Sequence, residues 1–380
     1  RKMIAPPLHR KHVTTYAEAM TDIIIEHQRK LADEEVLDIS LYMLAMTLDM
    51  VGTCLFGGDV KNETETIAEA IDVLMERFIL DARTWRSLLP LWVPLPGRIR
   101  AKMATKSLDK VIYQLIESRM DKHQDRQDLL SLLLTARDDS GEKFSRQQVR
   151  DESITMLVAG HETTALALAY TCHLLARHPQ VQAKLTEELE SVLNGQTPTL
   201  QALPDLTYTD AVIKESMRLY PPAWLIGREA LEDCTVAGYQ VNKGEQVIMP
   251  QWVVHRDPRW YQDPLSFRPE RWLEDLEQSI PRFAYFPFGG GPRICIGNHF
   301  SMMEMKLALA ILLQHFTVSS CQEHSLEVFP FITLRPQNGV YVRIKKRSAS
   351  EPSSFSIVRD LLRPAKRGTQ EVAISKRLPS

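Results

Sequence analysis

Phe288-Gly289-Gly290-Gly291-Pro292-Arg293-Ile294-Cys295-Ile296-Gly297 places a cysteine where a glycine-rich loop turns into a helix. A thiol at that junction sits against the positive end of the helix dipole, which favours the thiolate and makes Cys295 a good metal ligand. Its neighbours fit that role. Gly291 lets the loop turn, Gly297 lets the backbone come close, Phe288 shields the sulfur and Arg293 adds a fixed charge two residues away. A lone cysteine is more often a small buried hydrophobe, but this company outweighs the bland reading. Glycine-rich loops also cradle phosphates; here no Gly-Lys-Ser/Thr closes the loop, and no strand-loop-helix precedes an acidic residue at dinucleotide spacing. A zinc hydrolase is excluded as well. His161-Glu162-Thr163-Thr164-Ala165 begins like the zinc-protease helix but has Ala165 where the second histidine must stand.

The rest of the chain has ordinary globular proportions. Of 380 residues, 44% are apolar and 25% charged, enough to bury a core without staples. A net charge of −2 gives no basic excess to drive nucleic-acid binding. Five cysteines at wide spacings (Cys54, Cys172, Cys234, Cys295, Cys321) argue against a disulfide framework and point to a reducing compartment. The longest apolar run, Leu307 to Leu313, falls far short of a membrane helix, so a soluble, cytoplasmic chain is expected. Arg1 follows no initiator Met or leader, and this predicts a fragment or processed chain whose missing start could hold an anchor.

Apolar residues at three- and four-residue spacing predict helices from Pro6 to about Leu203, with a proline-rich loop from Leu88 to Gly97. Ser145 with Gln148 forms a capping box, predicting a helix that runs to His178-Pro179 and spans roughly 50 Å. At its middle stand Gly160 and two threonines, poor helix formers, beside the carboxylate of Glu162. Later, Asn242-Lys243-Gly244 predicts a hairpin between Val236–Val241 and Val247–Met249, and Val340 to Ile344 predicts a strand. Asp257 to Pro292 reads as an ordered, irregular loop, and Asn298 to Gln314 as a final helix. The class is mainly α with small β-sheets, α+β. The tail carries nine basic and three acidic residues from Lys345 onward and reads as disordered. Asn62-Glu63-Thr64 fits a glycosylation acceptor by chance.

Further motifs stand in order. Glu215 and Arg218 lie three apart on one helix face, and with Arg271 of Pro269-Glu270-Arg271 they would form a charge triad that braces the cysteine loop. Ala159 and Gly160 remove side-chain bulk from the long helix beside Thr163. With Phe267-Arg268-Pro269-Glu270-Arg271-Trp272, Ala159 to Thr164 and Glu215-Ser216-Met217-Arg218, the cysteine loop resembles the haem-thiolate monooxygenases, the cytochromes P-450. The loop matches Phe-x-x-Gly-x-Arg-x-Cys-x-Gly at every fixed position.

The resemblance implies one large domain, 1–346, that begins inside a haem-contacting helix, and a basic tail, 347–380, that the family does not need. It implies haem b with Cys295 on its iron, and cofactor contacts from Ala159, Gly160, Phe288, Gly291, Arg293 and Gly297. Arg228 and Arg1 would join Arg293 as cations for the haem propionates. Thr163 would order a water and Glu162 would relay protons to the site of dioxygen activation. Electrons would come from NAD(P)H through a ferredoxin or flavoprotein reductase, docking near Arg259, Arg282 and Lys306. The substrate would be a hydrophobic small molecule, held by Trp85 to Gly97, Met156 to Ala159, Ala223 to Ile226 and Phe329 to Ile332. A peroxide-using enzyme or isomerase, and a non-catalytic haem-binding remnant, are the alternatives.

Overall fold

A computed structural model describes residues 3–5, 8, 10–57, 63–84, 93, 95–121, 128–274, 276–321 and 324–347. The chain divides into two units, Arg1–Lys346 and Arg347–Ser380. Of the second only Arg347 is described, so the expected disordered tail lies outside the described residues, as do Arg1 and most of the predicted 88–97 loop.

The first unit is built on helices α1 (Arg10–Val13), α2 (Ala17–Gln28), α3 (Ile39–Phe56), α4 (Thr64–Arg83), α5 (Pro96–Asp121), α6 (Leu129–Thr135), α7 (Arg146–Arg177), α8 (Pro179–Leu193), α9 (Thr207–Leu219), α10 (Gln251–Val254), α11 (Leu276–Ser279) and α12 (Asn298–His315). Their centre is α7. Ser145 caps it with the expected box: its hydroxyl accepts from Gln148 N, and the Gln148 side chain accepts from Ser145 N. From Thr164 to Cys172 every residue of α7 is buried, whichever way it faces, which is the signature of a helix enclosed by others. α3 packs along it and α12 crosses it. α5 begins at Pro96, so the proline-rich loop ends by feeding a helix at the one turn that tolerates proline.

α3 amends the membrane expectation. It is long and apolar enough to span a bilayer by length and composition, yet 67% of it is buried against other helices. Interrupted apolar runs reach helical length that a count of consecutive apolar residues overlooks.

The sheets are small and antiparallel. β1 (Glu35–Asp38), β9 (Tyr341–Lys346) and β6 (Phe316–Ser320) form a three-stranded sheet with the predicted carboxy-terminal strand at its centre. The predicted hairpin is arranged differently. β3 (Cys234–Val236) turns through Ala237 and Gly238, both at positive φ, into β4 (Tyr239–Val241), a turn whose backbone matches strand twist. After Asn242-Lys243-Gly244, β5 (Gln246–Met249) pairs instead with β2 (Ile226–Glu229). β7 (Val328–Pro330) and β8 (Leu334–Pro336) form the last hairpin, tied to α7 where Tyr170 Oη donates to Leu334 O over 2.7 Å.

Candidate active site

The cysteine loop is held by its backbone. Gly289 N donates to Phe286 O and Cys295 N to Phe288 O, each 2.8 Å, so the segment folds back on itself. Gly289 and Gly291 have φ of 73° and 68°, which a side chain would strain. Gly297 caps α12, placing Cys295 at that helix's start. Two side chains that carry no motif signal pin the loop from below. His255 Nε2 accepts from Phe286 N at 2.9 Å, and Gln251 Nε2 donates to Phe286 O at 3.2 Å. Burial, aided by nearby Arg218, holds His255 down at about 3, so the ring is neutral and free to accept.

Beneath His255 lies the triad, fully assembled. Glu215 receives Arg218 Nε at 2.9 Å and Nη2 at 2.8 Å, Arg271 Nε at 3.0 Å, Trp272 Nε1 at 2.8 Å and Arg268 N at 3.0 Å. Arg218 Nη1 continues to His255 O at 2.8 Å and Pro264 O at 2.6 Å. Glu215 and Arg218 are completely buried, so this is a bracing cluster and no solvated surface pair.

Above the loop is a cavity of about 520 Å³ between α7, α12 and the cysteine loop. Its wall is mostly apolar and takes in Met156, Ala159, Gly160, Thr163, Arg228, Phe288, Arg293, Cys295 and Gly297. The volume is that of a cofactor or ligand site. Cys295 and Thr163 thus border the same space, brought together from positions 132 residues apart by the crossing of α7 over the loop. Thr163 Oγ1 donates to Ala159 O at 2.8 Å, the bond one turn back that mid-helix threonines commonly make. Ala223 and Ile226 also line the cavity, as expected.

Several expected positions are displaced. Gly160 stays at the cavity wall, and a Cβ there would meet Val51 Cγ2 of α3 at 3.1 Å, so its missing side chain also makes room for α3. Gly291 turns the loop without bordering the cavity, and Glu162 does not border it either. The Glu162 carboxylate is buried, ion-paired to Arg335 of β8 and accepting from Thr333 Oγ1 at 3.1 Å. Asp72 of α4 feels the same arginine: burial raises its pKa and Arg335 partly offsets the rise. Phe329 to Ile332 stay out of the cavity wall; Phe331 instead packs on Phe78, and its carbonyl takes the Trp224 indole N–H. Of the docking cations, Lys306 is paired with Asp210 at 2.8 Å and Arg259 with Asp257, while Arg282 lies over Phe283.

The residues fit a thiolate-held haem. Cys295 borders the cavity and can give one sulfur ligand to an iron carried by a prosthetic group seated there. A Cβ on Gly297 would enter open space at the cavity wall, leaving room for a flat ring against the backbone. Arg228 and Arg293 stand at that wall for anionic substituents. Gln251 Oε1, buried there, has no partner within the described protein and offers a further polar contact.

Fold and cavity define a haem-thiolate enzyme. The cytochrome P450 family model matches residues 1–342, and the chain belongs to that family. It is 35% identical over 353 residues to the cytochrome P450 132 protein of Mycobacterium tuberculosis, covering 89% of this chain and 76% of that one. It is 31% identical over 378 residues to human cytochrome P450 4V2, covering 92% of this chain and 72% of that one. It is also 35% identical over 315 residues to the cyclooctatin synthase of Streptomyces melanosporofaciens, covering 82% and 68%. Haem-thiolate monooxygenase chemistry follows from the family.

Proposed function

We propose that this protein inserts one atom of dioxygen into a hydrophobic small molecule held in the α7–α12 cavity, with electrons from NAD(P)H delivered by a ferredoxin or flavoprotein reductase. The observation that carries the proposal is that Cys295 and Thr163 border one apolar cavity. The overall reaction takes substrate, dioxygen, two electrons and two protons to hydroxylated product and water. Haem, when bound, supplies an iron whose thiolate ligand favours cleavage of the O–O bond.

The chain's own residues do the rest. Cys295 supplies the sulfur, and the backbone bonds of Phe286 and Phe288 hold it still. Arg228 and Arg293 anchor the propionates. Thr163 presents a hydroxyl to the cavity and, by letting go of Ala159 O, can hand a proton to an acceptor there. Glu162 replenishes that proton only when it turns away from Arg335, so we assign it a gated relay. The Met156 and Ile226 side of the wall excludes water and receives the apolar part of the substrate. A relative named as a synthase suits a biosynthetic oxidation. A cytoplasmic location belongs to the same proposal and is tested by fractionating cells that make the full-length protein.

Spectroscopy and turnover test the reading. The reduced carbon monoxide complex of the haem-loaded chain is expected to show the thiolate-type Soret band, and Cys295→Ser to abolish it. Thr163→Ala should still consume electrons but release peroxide in place of product. Full coupling in that variant would refute the proton role of Thr163, and turnover with peroxide but not with NAD(P)H plus reductase would establish the peroxide-using alternative.

A further inference from the structure

The end of α7, the end of α9 and the chain around α10 enclose a second pocket, at the surface and about 690 Å³, that shares no lining residue with the cavity above the cysteine loop. His173, Arg177, His178 and Arg256 line it, and no Asp or Glu does. Arg256 is half-buried, its guanidinium 3.3 Å from the centre of the Trp252 ring and 5.8 Å from that of Tyr220. Among the described residues only backbone carbonyls take its protons: Nη1 donates to Trp252 O at 3.1 Å and Nη2 to Leu219 O. Most of the guanidinium donors are thus left over. Burial pulls its pKa down to about 10, with Tyr220 opposing the fall and Arg218 adding to it, so the group is still cationic at pH 7.

Stacking on Trp252 accounts for where this guanidinium sits, but not for the basic residues gathered round it without a counter-charge. Arg177, the last residue of α7, is exposed and has no ion pair among the described residues. The His178 ring bonds Leu174 O through Nδ1 at 2.8 Å, which leaves Nε2 for another partner. His173 registers the sign of the local field: burial first, then Arg177 and His178, hold it down at about 4. The rest of the wall is apolar and aromatic, with Tyr220, Trp252 and Phe267 inside and Leu265 exposed at the rim.

We propose that this pocket binds a phosphate group carried on an aromatic or other apolar body, with Arg177 and Arg256 on the phosphate and the Tyr220, Trp252 and Phe267 side on the body. Two guanidinium groups suit a phosphate, whose several oxygens they can share through paired N–H donors. The site is separate from the Cys295 cavity and does not depend on the monooxygenase reading. A soluble phosphate ester and a lipid headgroup present the same chemistry, and the test separates them.

Calorimetric titration of the full chain at fixed ionic strength tests the site, with phenyl phosphate as the probe. The expected result is saturable binding, roughly tenfold tighter than inorganic phosphate because the wall holds the ring, and weakened roughly tenfold by Arg177→Gln. Arg256→Gln should weaken it as much; should that variant fail to fold, Arg177→Gln and His178→Gln carry the test, since neither removes a buried charge. Lys102→Gln, which takes the same charge from an exposed position on α5, should leave the affinity within about twofold. Vesicles of phosphatidylcholine with phosphatidic acid are the second probe. Cosedimentation reversed both by phenyl phosphate and by Arg177→Gln marks a lipid headgroup as the source, and phenyl phosphate binding without it marks a soluble ester. No saturable binding of phenyl phosphate, an affinity unchanged by Arg177→Gln, or an equal loss in Lys102→Gln overturns the proposal.

Discussion

Glu215→Gln is the substitution that most directly measures what holds the cysteine loop. The carboxylate accepts five hydrogen bonds, three on Oε1 from Arg218, Arg271 and the Arg268 backbone, and two on Oε2 from Arg218 and Trp272. A glutamine keeps the shape but turns one oxygen into an NH2. Whichever end that is, at least two donors face another donor, and one of them is a buried guanidinium. Two unmade buried bonds at ~1–3 kcal/mol each give about 4 kcal/mol, in line with the ~3–5 kcal/mol of breaking a buried ion pair. Against a total stability of roughly 5–15 kcal/mol that is a large fraction. The charge balance worsens too, since Arg218 and Arg271 then share only carbonyl oxygens.

The assay is urea unfolding of the haem-loaded protein, followed in parallel by far-ultraviolet circular dichroism and by the thiolate-type band of the reduced carbon monoxide complex. Arg218 also holds His255 O, and His255 holds Phe286 N, so the variant should lose the thiolate band at lower urea than it loses helix. Arg271→Lys, which keeps the charge but not the fork, should fall between the variant and wild type. A loss below about 1 kcal/mol, the worth of an exposed pair, with both signals still coincident, would refute the bracing role.

A second prediction concerns pH. His255 is depressed from 6.5 to about 3, so its contribution is complete above pH 6.5 and is lost as pH falls from there through about 3. The expected slope is about 1.4 kcal/mol per pH unit in that window, read as urea midpoints at successive pH values. His255→Gln should flatten the slope, and parallel slopes in variant and wild type would show that some other group sets the acid limit. A third concerns Gly160→Ala. Helix propensity favours alanine by ~1 kcal/mol, while the 3.1 Å approach to Val51 opposes it. A double-mutant cycle with Val51→Ala should give a coupling of roughly 1 kcal/mol; a coupling near zero would remove Val51 as the reason for the glycine.

Legibility in the sequence follows the distance over which a decision is made. The capping box, the long helix and the Glu215–Arg218 pair are settled within a few residues, and each is where the pattern puts it. The cysteine loop is likewise local, because its two glycine kinks and its bonds to Phe286 and Phe288 lie inside ten residues. The partners of Glu162 are not local: Thr333 and Arg335 come from β7–β8, 171 and 173 residues on. Period and propensity carry no trace of that pairing. The direction of the missing Gly160 side chain depends on where α3 crosses, and the turn at Ala237-Gly238 beat the more conventional Asn242-Lys243-Gly244 because β2 was waiting to pair with β5.

Gln251 and His255 show the same limit and also explain how the site stays rigid. Both stand in a stretch rich in prolines and aromatics that carries no motif, and both act through neutral polar atoms on one backbone unit, that of Phe286. A charged group there would add its own field close to Cys295, whereas a neutral ring and an amide, both fully buried, fix the loop without adding charge. The charged brace is kept one layer away, at Glu215, where backbone carbonyls and the paired carboxylate absorb it. The separation predicts an order of sensitivity to salt: the triad, fully buried, should be indifferent to ionic strength, and the exposed Arg259–Asp257 pair should not. Redox-partner binding that weakens with salt while the thiolate band does not change would fit this layering, and a thiolate band that itself bleaches with salt would contradict it.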